Sequence, residues 1–375
     1  MKFIIPSVKL LKSLQALSGL VGNNNTLPIL EDFKFELQGE NLKITASDLE
    51  TTMTVTLQPE KTEGEGCVTI PARMLIDTLK YLPDVPVTFI VDEESLFVEI
   101  HAGEGHFKLA GHNGDEFPKH ANIVSDVQWL VPADVLAKGF EKTVFATGND
   151  ELRPVMSGVF VEMGENGLTF VATDAHRLVR YARHDVKMPM QSSFIMPRKA
   201  ITQMKGALSS LGDEPVDISF DSTNVVYKFG VYELYCRLIE GRYVNYTQVI
   251  PKNNPNELII DRQQFSSSIR RVSVFSNKAT KQVRFRIKGQ TIVLSADDVD
   301  TSSEAKERLM CEYKGDDIEI GFNARFLDEM LSNLDSKEVK LAMSAPNKAS
   351  LLMPVDAENS AAEDVLMLLM PVMLG

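Results

Sequence analysis

The chain has 375 residues, 44% of which are hydrophobic, and it carries a formal net charge of −13. This length and apolar content are typical of a globular protein with more than one buried core. No apolar stretch approaches the length of a membrane-spanning helix, and the start MKFIIPSV lacks the apolar core of a signal peptide, so we expect a cytoplasmic protein.

A short apolar strand followed by an amphipathic helix occurs six times along the chain. In each copy the strand runs into a Pro or a polar residue, and apolar side chains then recur at helical spacing. The copies begin at Phe3, Val68, Trp129, Phe194, Leu258 and Ile320. They predict helices within residues 7–20, 71–82, 132–147, 197–211, 262–278 and 323–337.

A second phrase occurs once in every pair of these units. It reads LKITASDLETTMTV around Asp48, LTFVATDAHRLVRY around Asp174 and IVLSADDVDTSSEA around Asp297. Successive Asp residues are 126 and 123 residues apart, which is the length of a whole domain. Breaks rich in Pro and Asn lie at 118–127 and 251–256. We therefore predict three tandem domains, at residues 1–121, 122–253 and 254–375.

The segments between the helices alternate in polarity. GLTFVATD, QVRFRIKG and TIVLSADD have the period of two and the β-branched content of antiparallel strands, and turn residues separate them. Each domain should therefore contain two helices and antiparallel sheets, which is an α+β fold.

Positive charge is concentrated in the helices, although the chain as a whole is acidic. The six helical stretches carry formal charges of +2, +1, 0, +3, +4 and −1 in chain order. In the fourth stretch Ile201, Met204 and Leu208 form an apolar face, and Arg198 and Lys205 lie on the opposite face. Two interpretations stay open for the basic faces: ordinary solvated surface, or a surface that attracts a polyanion such as nucleic acid.

Little in the sequence supports catalysis or metal binding. Asp174 and His176 have the residue types of a metal pair or of an acid and a base. Only the Asp recurs in the other two copies, which favours a turn residue that binds backbone N–H groups. The other histidines show no metal-ligand spacing, and the hairpin region that contains His101 and His106 should be solvent-exposed.

The cysteines give no sign of a disulfide framework. Cys67, Cys236 and Cys311 are far apart and form no CxxC pair, so neither a disulfide nor a zinc site is predicted. We expect all three to be small buried apolar residues. The chain is expected to need no metal and no cofactor.

Eight short phrases are spread over the whole chain. They are TLPIL at Thr26, SDLE at Ser47, PAR at Pro71, ATDAHRL at Ala172, PRK at Pro197, IEGRYVNY at Ile239, GFNARFL at Gly321 and MPVML at Met370. In this order they resemble the beta subunits of bacterial DNA polymerase III, the replicative sliding clamps. The resemblance implies three clamp domains per chain and a head-to-tail homodimer that closes a ring around duplex DNA.

The resemblance implies a non-catalytic processivity factor that a clamp-loader complex opens and loads. A ring holds DNA topologically, so weak, sequence-independent attraction to phosphates suffices and the ring can slide. The helices would line the hole with their basic side chains. The candidates for DNA contact are Lys9, Lys12, Arg73, Lys80, Arg198, Lys199, Lys205, Arg270 and Arg271.

The resemblance also implies an apolar pocket, on the second and third domains, for short linear motifs. Its partners would be the DNA polymerase III alpha subunit, the clamp loader, other polymerases and repair proteins. Apolar residues with a few polar groups suit peptide capture, and Met adapts to several partners. Carried over residue by residue, the pocket comprises Met156, Thr173, Ala175, His176, Arg177, Leu178, Val244, Val249, Asn323, Phe326, Pro346, Leu369, Met370, Pro371, Val372 and Met373.

The implied subunit interface joins the first domain of one copy to the third domain of the other. Its residues are Phe107, Leu109, Val274, Phe275, Asp300, Glu304 and Glu307. Two other functions stay open on the residues alone. One is a metal-dependent hydrolase that uses Asp174 and His176, and the other is a scaffold that does not contact DNA.

Overall fold

The computed structural model describes residues 1–22, 27–120, 123, 125, 128–355 and 362–374. Thr26, which begins one family phrase, lies outside the described residues. The same is true of residues 121 and 122, at the first predicted domain boundary, and of Gly375.

All six predicted helices are present, and each begins where a strand ends. They are α1 Ser7–Leu17, α2 Ala72–Lys80, α3 Ala133–Val144, α4 Arg198–Leu208, α6 Arg262–Ser273 and α7 Ala324–Ser332, and a short unpredicted helix, α5, spans Tyr246–Val249. Pro6 and Pro71 precede the first two helices. Asp261 and Asn323 precede the last two and cap them, because their side chains accept hydrogen bonds from backbone N–H groups of the first turn.

Antiparallel strands make up most of the remaining described chain. In the first half they are β1 Lys2–Pro6, β2 Asp32–Gln38, β3 Asn41–Ser47, β4 Thr51–Leu57, β5 Lys61–Glu63, β6 Gly66–Pro71, β7 Pro86–Val91, β8 Phe97–Ala102, β9 Gly105–Ala110, β10 His112–Asn113, β11 Gln128–Pro132, β12 Gly158–Gly164, β13 Gly167–Thr173 and β14 Arg177–Arg183. In the second half they are β15 Ser192–Pro197, β16 Pro215–Phe220, β17 Asn224–Phe229, β18 Tyr232–Arg237, β19 Asn256–Asp261, β20 Gln282–Lys288, β21 Thr291–Asp298, β22 Ser303–Met310, β23 Glu312–Lys314, β24 Ile318–Asn323, β25 Glu338–Met343, β26 Ser350–Pro354 and β27 Glu363–Leu369.

One compact unit comprises residues 1–137 and 199–238. It contains a five-stranded sheet in the order β5-β1-β7-β8-β9 and a nine-stranded sheet in the order β10-β6-β2-β3-β4-β18-β17-β16-β11. Helix α1 packs against α2, and Leu10, Leu14 and Leu17 of α1 are buried as the helical spacing predicts. Strand β9 is an edge of the five-stranded sheet.

The other compact unit comprises residues 138–198 and 239–375. Its nine-stranded sheet has the order β15-β12-β13-β14-β27-β26-β25-β19-β23, and its four-stranded sheet has the order β22-β21-β20-β24. Helix α6 packs on α7 and on β21, with Phe265, Ile269 and Val272 buried. Strand β22 is an edge of the four-stranded sheet.

Each nine-stranded sheet continues from one predicted sequence repeat into the next. Strand β4 pairs with β18 in the register Thr51↔Cys236, and β14 pairs with β27 in the register Arg177↔Leu369. The two compact units therefore differ from the three predicted domains, because a shared sheet joins residues of neighbouring repeats. The boundaries of the three domains, which were derived from the sequence repeat, stay a prediction.

Candidate functional site

The basic candidates of the first unit lie on the solvent-exposed faces of their helices. Lys9, Lys12 and Arg73 are exposed on α1 and α2. Lys80 is exposed too and forms an ion pair with Asp77 at 3.0 Å. Such exposed pairs contribute little to stability and exchange easily with a phosphate oxygen. These helices therefore present exposed positive charge on the side opposite their buried leucines.

The candidates on helix α4 lie at its first turn and on its polar face. The Arg198 guanidinium donates to the Asn149 side chain at 3.3 Å, and Lys199 forms an ion pair with Asp48. Lys205 is half-buried on the same helix, while Ile201 and Met204 are fully buried on the other face. The predicted division of α4 into a basic face and an apolar face is confirmed.

Two basic candidates on α6 are already bound to carboxylates. Arg270 Nε lies 2.7 Å from Asp328, and Arg271 donates from Nε and Nη2 to the two oxygens of Glu307, both at 2.7 Å. The Arg271 guanidinium, helped by the Ser268 hydroxyl, lowers the pKa of Glu307 to about 2. A phosphate that bound Arg271 would compete with Glu307, which was predicted at the subunit interface.

Two of the peptide-pocket candidates belong to an apolar cluster in the second unit. Its buried members come from strands β13, β14, β15, β25, β26 and β27 and from the loop before α5; they are Val171, Leu178, Ile195, Tyr243, Ala342, Leu351 and Leu368. Partly buried apolar side chains pack against it, namely Val155, Phe160, Ile239, Val244, Tyr246, Ile250, Ala349, Met353 and Leu366. A half-exposed apolar surface with aromatic members suits an apolar peptide side chain.

Only part of the predicted pocket belongs to this cluster. Leu178 and Val244 are members of it. Three other candidates are not among the members named above: Met156 is half-buried, and Val249 and Pro346 are exposed. The sequence missed most of the cluster. Tyr243 and Ile239 lie within the phrase IEGRYVNY that carried the resemblance, and this phrase could have indicated them.

A tight turn at 173–177 forms one side of this region. The Asp174 carboxylate accepts from the backbone N–H groups of His176 and Arg177, both at 2.9 Å, and the Thr173 hydroxyl accepts from the Ala175 N–H at 3.1 Å. Ala175 has a φ of 74°, a left-handed conformation that the hydrogen bonds on both sides hold in place. The predicted turn role of Asp174 is confirmed.

The same turn occurs in the first repeat but not in the third. Asp48 accepts from the N–H groups of Glu50 and Thr51, at 3.1 and 2.7 Å, and Leu49 has a φ of 78°. In the third repeat the capping carboxylate belongs to Asp298, which accepts from the Asp300 N–H at 3.3 Å. The predicted role of Asp297 is therefore wrong, because the strand continues through Asp298, which pairs with Ser303, and the loop begins two residues later than in the other two repeats.

Arg177 connects this turn to helix α7. Its guanidinium donates to Asp174 at 3.1 Å, to Glu329 at 2.6 Å and to the Phe145 carbonyl at 2.8 Å, and it stacks 4.6 Å from the centre of the Phe326 ring. Burial alone would raise the pKa of Glu329, but hydrogen bonding to Arg177 holds it below the usual value. Arg177 is buried, so it positions its neighbours rather than offering a free charge to a ligand.

His176 and the last strand complete the rim of this region. The His176 ring stacks on Phe326 with 6.1 Å between ring centres, and the His176 carbonyl accepts from the Met370 N–H at 2.9 Å. The Val372 N–H donates to the Gly321 carbonyl at 2.8 Å. A side chain at 321 would meet the Val372 carbonyl at 2.7 Å, so the close approach requires glycine there.

The remaining pocket candidates lie near the contact between Val372 and Gly321, in strand β27, at the start of α7 and in the last residues of the chain. Leu369 is buried at the end of β27, Asn323 caps α7, and Pro371 is half-buried. Met370 and Met373 are exposed. Met370 follows the backbone contact to His176, and exposed methionines offer an adaptable apolar surface.

The interface candidates lie at two sheet edges, one in each unit. On edge strand β9 Phe107 is half-buried and Leu109 is buried, so this strand offers mainly its backbone and Phe107. After helix α6, Val274 is 79% exposed and Phe275 is 40% exposed. Exposed apolar residues beside an open strand edge are typical of a surface that pairs with another chain.

The acidic interface candidates lie at or near edge strand β22. Asp300 and Glu304 are exposed, and Glu307 is bound to Arg271.

The structure gives Asp174 and His176 other contacts than those the hydrolase hypothesis requires. Three N–H groups of the turn donate to the Asp174 carboxylate, and the His176 ring packs on Phe326, so Asp174 and His176 form no metal pair.

The cysteines differ in burial. Cys236 is buried, which raises the pKa of its thiol to about 12. Cys67 and Cys311 are only half-buried, so the prediction of burial holds for Cys236 alone.

Two histidines without metal-ligand spacing in the sequence lie close together in the fold. The fold brings Glu99, His101 and His106 together, with ligand atoms within 4.8 Å of one another. No sequence spacing indicates this group, because it is the pairing of β8 with β9 that places His101 opposite His106 across a hairpin. In the part of the chain that the structure describes, no helix is long and apolar enough to cross a membrane.

Comparisons with known proteins agree with this arrangement. The family models for the N-terminal, central and C-terminal domains of the DNA polymerase III beta subunit match residues 1–121, 130–245 and 247–371. The beta sliding clamp of Pseudomonas aeruginosa is 29% identical over 364 residues, which is 96% of this chain and 98% of the relative. The beta sliding clamp of Proteus mirabilis is 29% identical over the full length of both.

Solved structures show the same fold. The P. aeruginosa sliding clamp bound to griselimycin is 27% identical and superimposes with a TM-score of 0.94 over the whole of both chains. The sliding clamp of Bartonella birtlesii bound to griselimycin is 29% identical, with a TM-score of 0.92 over the whole of both chains. The three family domains in order, the full-length relatives and the shared fold together show that this chain belongs to the DNA polymerase III beta subunit family, the beta sliding clamps.

Proposed function

We propose that this chain works as a homodimeric ring that encircles duplex DNA and tethers the replicative polymerase for processive synthesis. The match of three clamp domains along the whole chain carries this proposal. In this proposal the chain is a non-catalytic processivity factor, and its partners are DNA, the polymerase and the clamp loader. It is proposed to work in the cytoplasm, with domains at 1–121, 122–253 and 254–375.

We assign the DNA-facing surface to the basic faces of α1, α2, α4 and α6. Four observations support this: the basic side chains lie opposite buried apolar faces, most are exposed, several form ion pairs at the surface, and the rest of the chain is acidic. Contacts of this kind neutralise phosphates without reading bases, so binding should weaken steeply with salt and ignore sequence. The acidic remainder disfavours DNA elsewhere on the surface.

We assign partner capture to the apolar cluster around Leu178 and Val244, with the rim formed by His176, Phe326 and Met370. The exposed methionine and the stacked rings give an apolar surface that can adapt to different side chains. A short linear motif of the polymerase or the clamp loader would place an apolar side chain on the cluster. His176→Ala should weaken peptide binding while the fold, which depends on the buried residues, is retained.

We assign subunit contact to strands β9 and β22. Each is the open edge of its sheet, so head-to-tail pairing of β9 with β22 of a second copy would satisfy backbone N–H and C=O groups on both. The exposed side chains of Val274 and Phe275 would be buried by the same contact.

The decisive experiment measures retention on circular DNA after loading, before and after one cut in the circle. We expect retention on the circle and loss through the free ends, because the attachment is topological. Equal dissociation from the two forms would mean surface binding and would overturn the proposal.

The variant Arg198→Glu/Lys199→Glu tests the DNA-facing assignment. It should reduce loading and processive synthesis, and unchanged values would favour a scaffold that does not contact DNA.

A further inference from the structure

Three potential metal ligands converge on one face of the β8–β9 hairpin. His101 Nε2 lies 3.7 Å and His106 Nε2 lies 3.5 Å from the same oxygen of Glu99, Oε2. The two imidazole rings are 4.6 Å apart between centres and 34° from coplanar. Among the residues that the structure describes, this is the one group of three or more His, Cys, Asp or Glu side chains with the spacing of a metal site.

These separations are too long for hydrogen bonds and close to those of two ligands on one ion. Hydrogen bonds to imidazole nitrogen are about 2.7–3.2 Å long. In a tetrahedral zinc site, bonds of about 2.0–2.1 Å place neighbouring ligand atoms about 3.3 Å apart. Glu99 Oε2 is therefore near the position it would occupy if it shared a cation with each histidine.

The carboxylate is already oriented for this role. Its other oxygen, Oε1, faces the Lys108 ammonium at 3.9 Å, and that ammonium also lies 4.3 Å from the centre of the Phe97 ring. This leaves Oε2 directed at the two imidazoles. At this distance the ammonium attracts Oε1 electrostatically without a hydrogen bond.

We propose that Glu99, His101 and His106 form a binding site for a divalent transition-metal ion of the zinc class. Two imidazoles and one carboxylate select such ions over Mg²⁺ and Ca²⁺, which prefer oxygen ligands. Three protein ligands at a partly exposed site leave a coordination position for water. Bound metal would join β8 to β9 side by side and stiffen the edge of the five-stranded sheet.

The proposed site does not use the side chains assigned to subunit contact. Side chains alternate between faces along a strand, so His106 and Lys108 lie on the face opposite Phe107 and Leu109. Metal binding is therefore testable without DNA, loader or partner, and its failure would leave the clamp assignment unaffected.

The test is a titration of the full-length protein with Zn²⁺ alone in competition with a chromophoric chelator. We expect one site per chain whose affinity falls at least tenfold in His101→Gln, His106→Gln and Glu99→Gln. His184→Gln, which changes an exposed histidine in the other unit, is the matched control and should bind as the unsubstituted chain does.

A second measurement excludes binding by the cysteines. With Co²⁺ in place of Zn²⁺, visible d–d bands without a thiolate charge-transfer band would support imidazole and carboxylate ligands. A thiolate band, or Zn²⁺ affinity unchanged in all three ligand variants, would overturn the proposal. Circular dichroism of each variant shows that lost binding does not reflect lost structure.

Discussion

At the scale of single residues, the buried ammonium of Lys142 shows how burial decides the value of an ion pair. Lys142 is 8% exposed at its side chain, and it donates to the Asn333 carbonyl at 2.8 Å and to Asp335, whose side chain is 63% exposed. A buried charge costs several kcal/mol when it loses its partner, whereas an apolar side chain of similar size is often tolerated. The two partners of this pair should therefore differ in their sensitivity to substitution.

We expect Asp335→Asn to destabilise the protein by about 1–3 kcal/mol, because it leaves the buried ammonium with neutral partners only. Lys142→Met should cost less, about 1 kcal/mol or below. Denaturant unfolding followed by fluorescence measures both. Asp77→Asn is the control, since its partner Lys80 is exposed and the change should cost under about 0.5 kcal/mol. A larger loss for Lys142→Met than for Asp335→Asn would contradict this account.

The Glu307 carboxylate predicts a pH dependence at the same scale. The Arg271 guanidinium lowers its folded-state pKa from 4.5 to about 2. The unfolded chain therefore binds this proton first as the pH falls, so the stabilisation is present above about pH 4.5 and is lost between there and pH 2. Glu307→Gln should remove this part of the pH dependence. Thermal unfolding of both proteins from pH 6 to pH 2 should give curves that converge at the acid end.

The control for this experiment is Glu304→Gln, on the same strand but with an exposed side chain. It should keep the acid loss of stability that the unsubstituted chain shows in this window. If Glu307→Gln and the unsubstituted chain stay equally far apart at pH 6 and at pH 2, the Arg271 pair does not set this pKa.

At the scale of secondary structure, the turn at 173–177 stores strain at one residue. Ala175 adopts a φ of 74°, which costs an L-residue about 1–2 kcal/mol relative to glycine. Glycine also loses about 0.5–1 kcal/mol more chain entropy on folding. Ala175→Gly should therefore stabilise the protein by about 1 kcal/mol or less, and Ala175→Val should destabilise it by more than that.

Leu49→Gly provides the matched test of this idea. The first repeat has the same turn with a φ of 78° at Leu49, so both glycine variants should shift the unfolding midpoint in the same direction. Equilibrium unfolding in urea measures the three variants. A stabilising valine, or opposite signs for the two glycine variants, would show that other contacts set the conformation.

Elements with a strong local period were predictable from the sequence, and pairings between distant strands were not. All six helices were found because apolar side chains recur at 3.6-residue spacing within one segment, as with Leu10, Leu14 and Leu17. The pairing of β4 with β18 joins residues about 180 positions apart, and no local pattern indicates it. The same limit explains the histidines, since His101 meets His106 only through the register of β8 and β9.

At the scale of the whole molecule, the sequence indicated the site partly through its repeats and partly through resemblance. The turn Asp residues were identified because Asp48 and Asp174 recur, and the third copy was misassigned because Asp298 takes over the role. Tyr243 and Ile195 were missed because side chains of the apolar cluster come from several strands that meet only in the sheet. The proposed function depends on a second copy of the chain, which no local pattern describes.

Ring closure gives the prediction that belongs to the assembled molecule. Phe275→Arg should convert dimers to monomers, because it places a charge where an exposed apolar side chain would be buried against the edge of a second copy. Sedimentation velocity over a range of protein concentrations measures the change. Leu152→Arg is the matched control, since Leu152 is 91% exposed and lies outside the proposed interface, so this variant should remain dimeric. A dimer of undiminished strength in Phe275→Arg would remove this residue from the interface. Loss of the dimer in both variants would show a general effect of added charge and not a local contact.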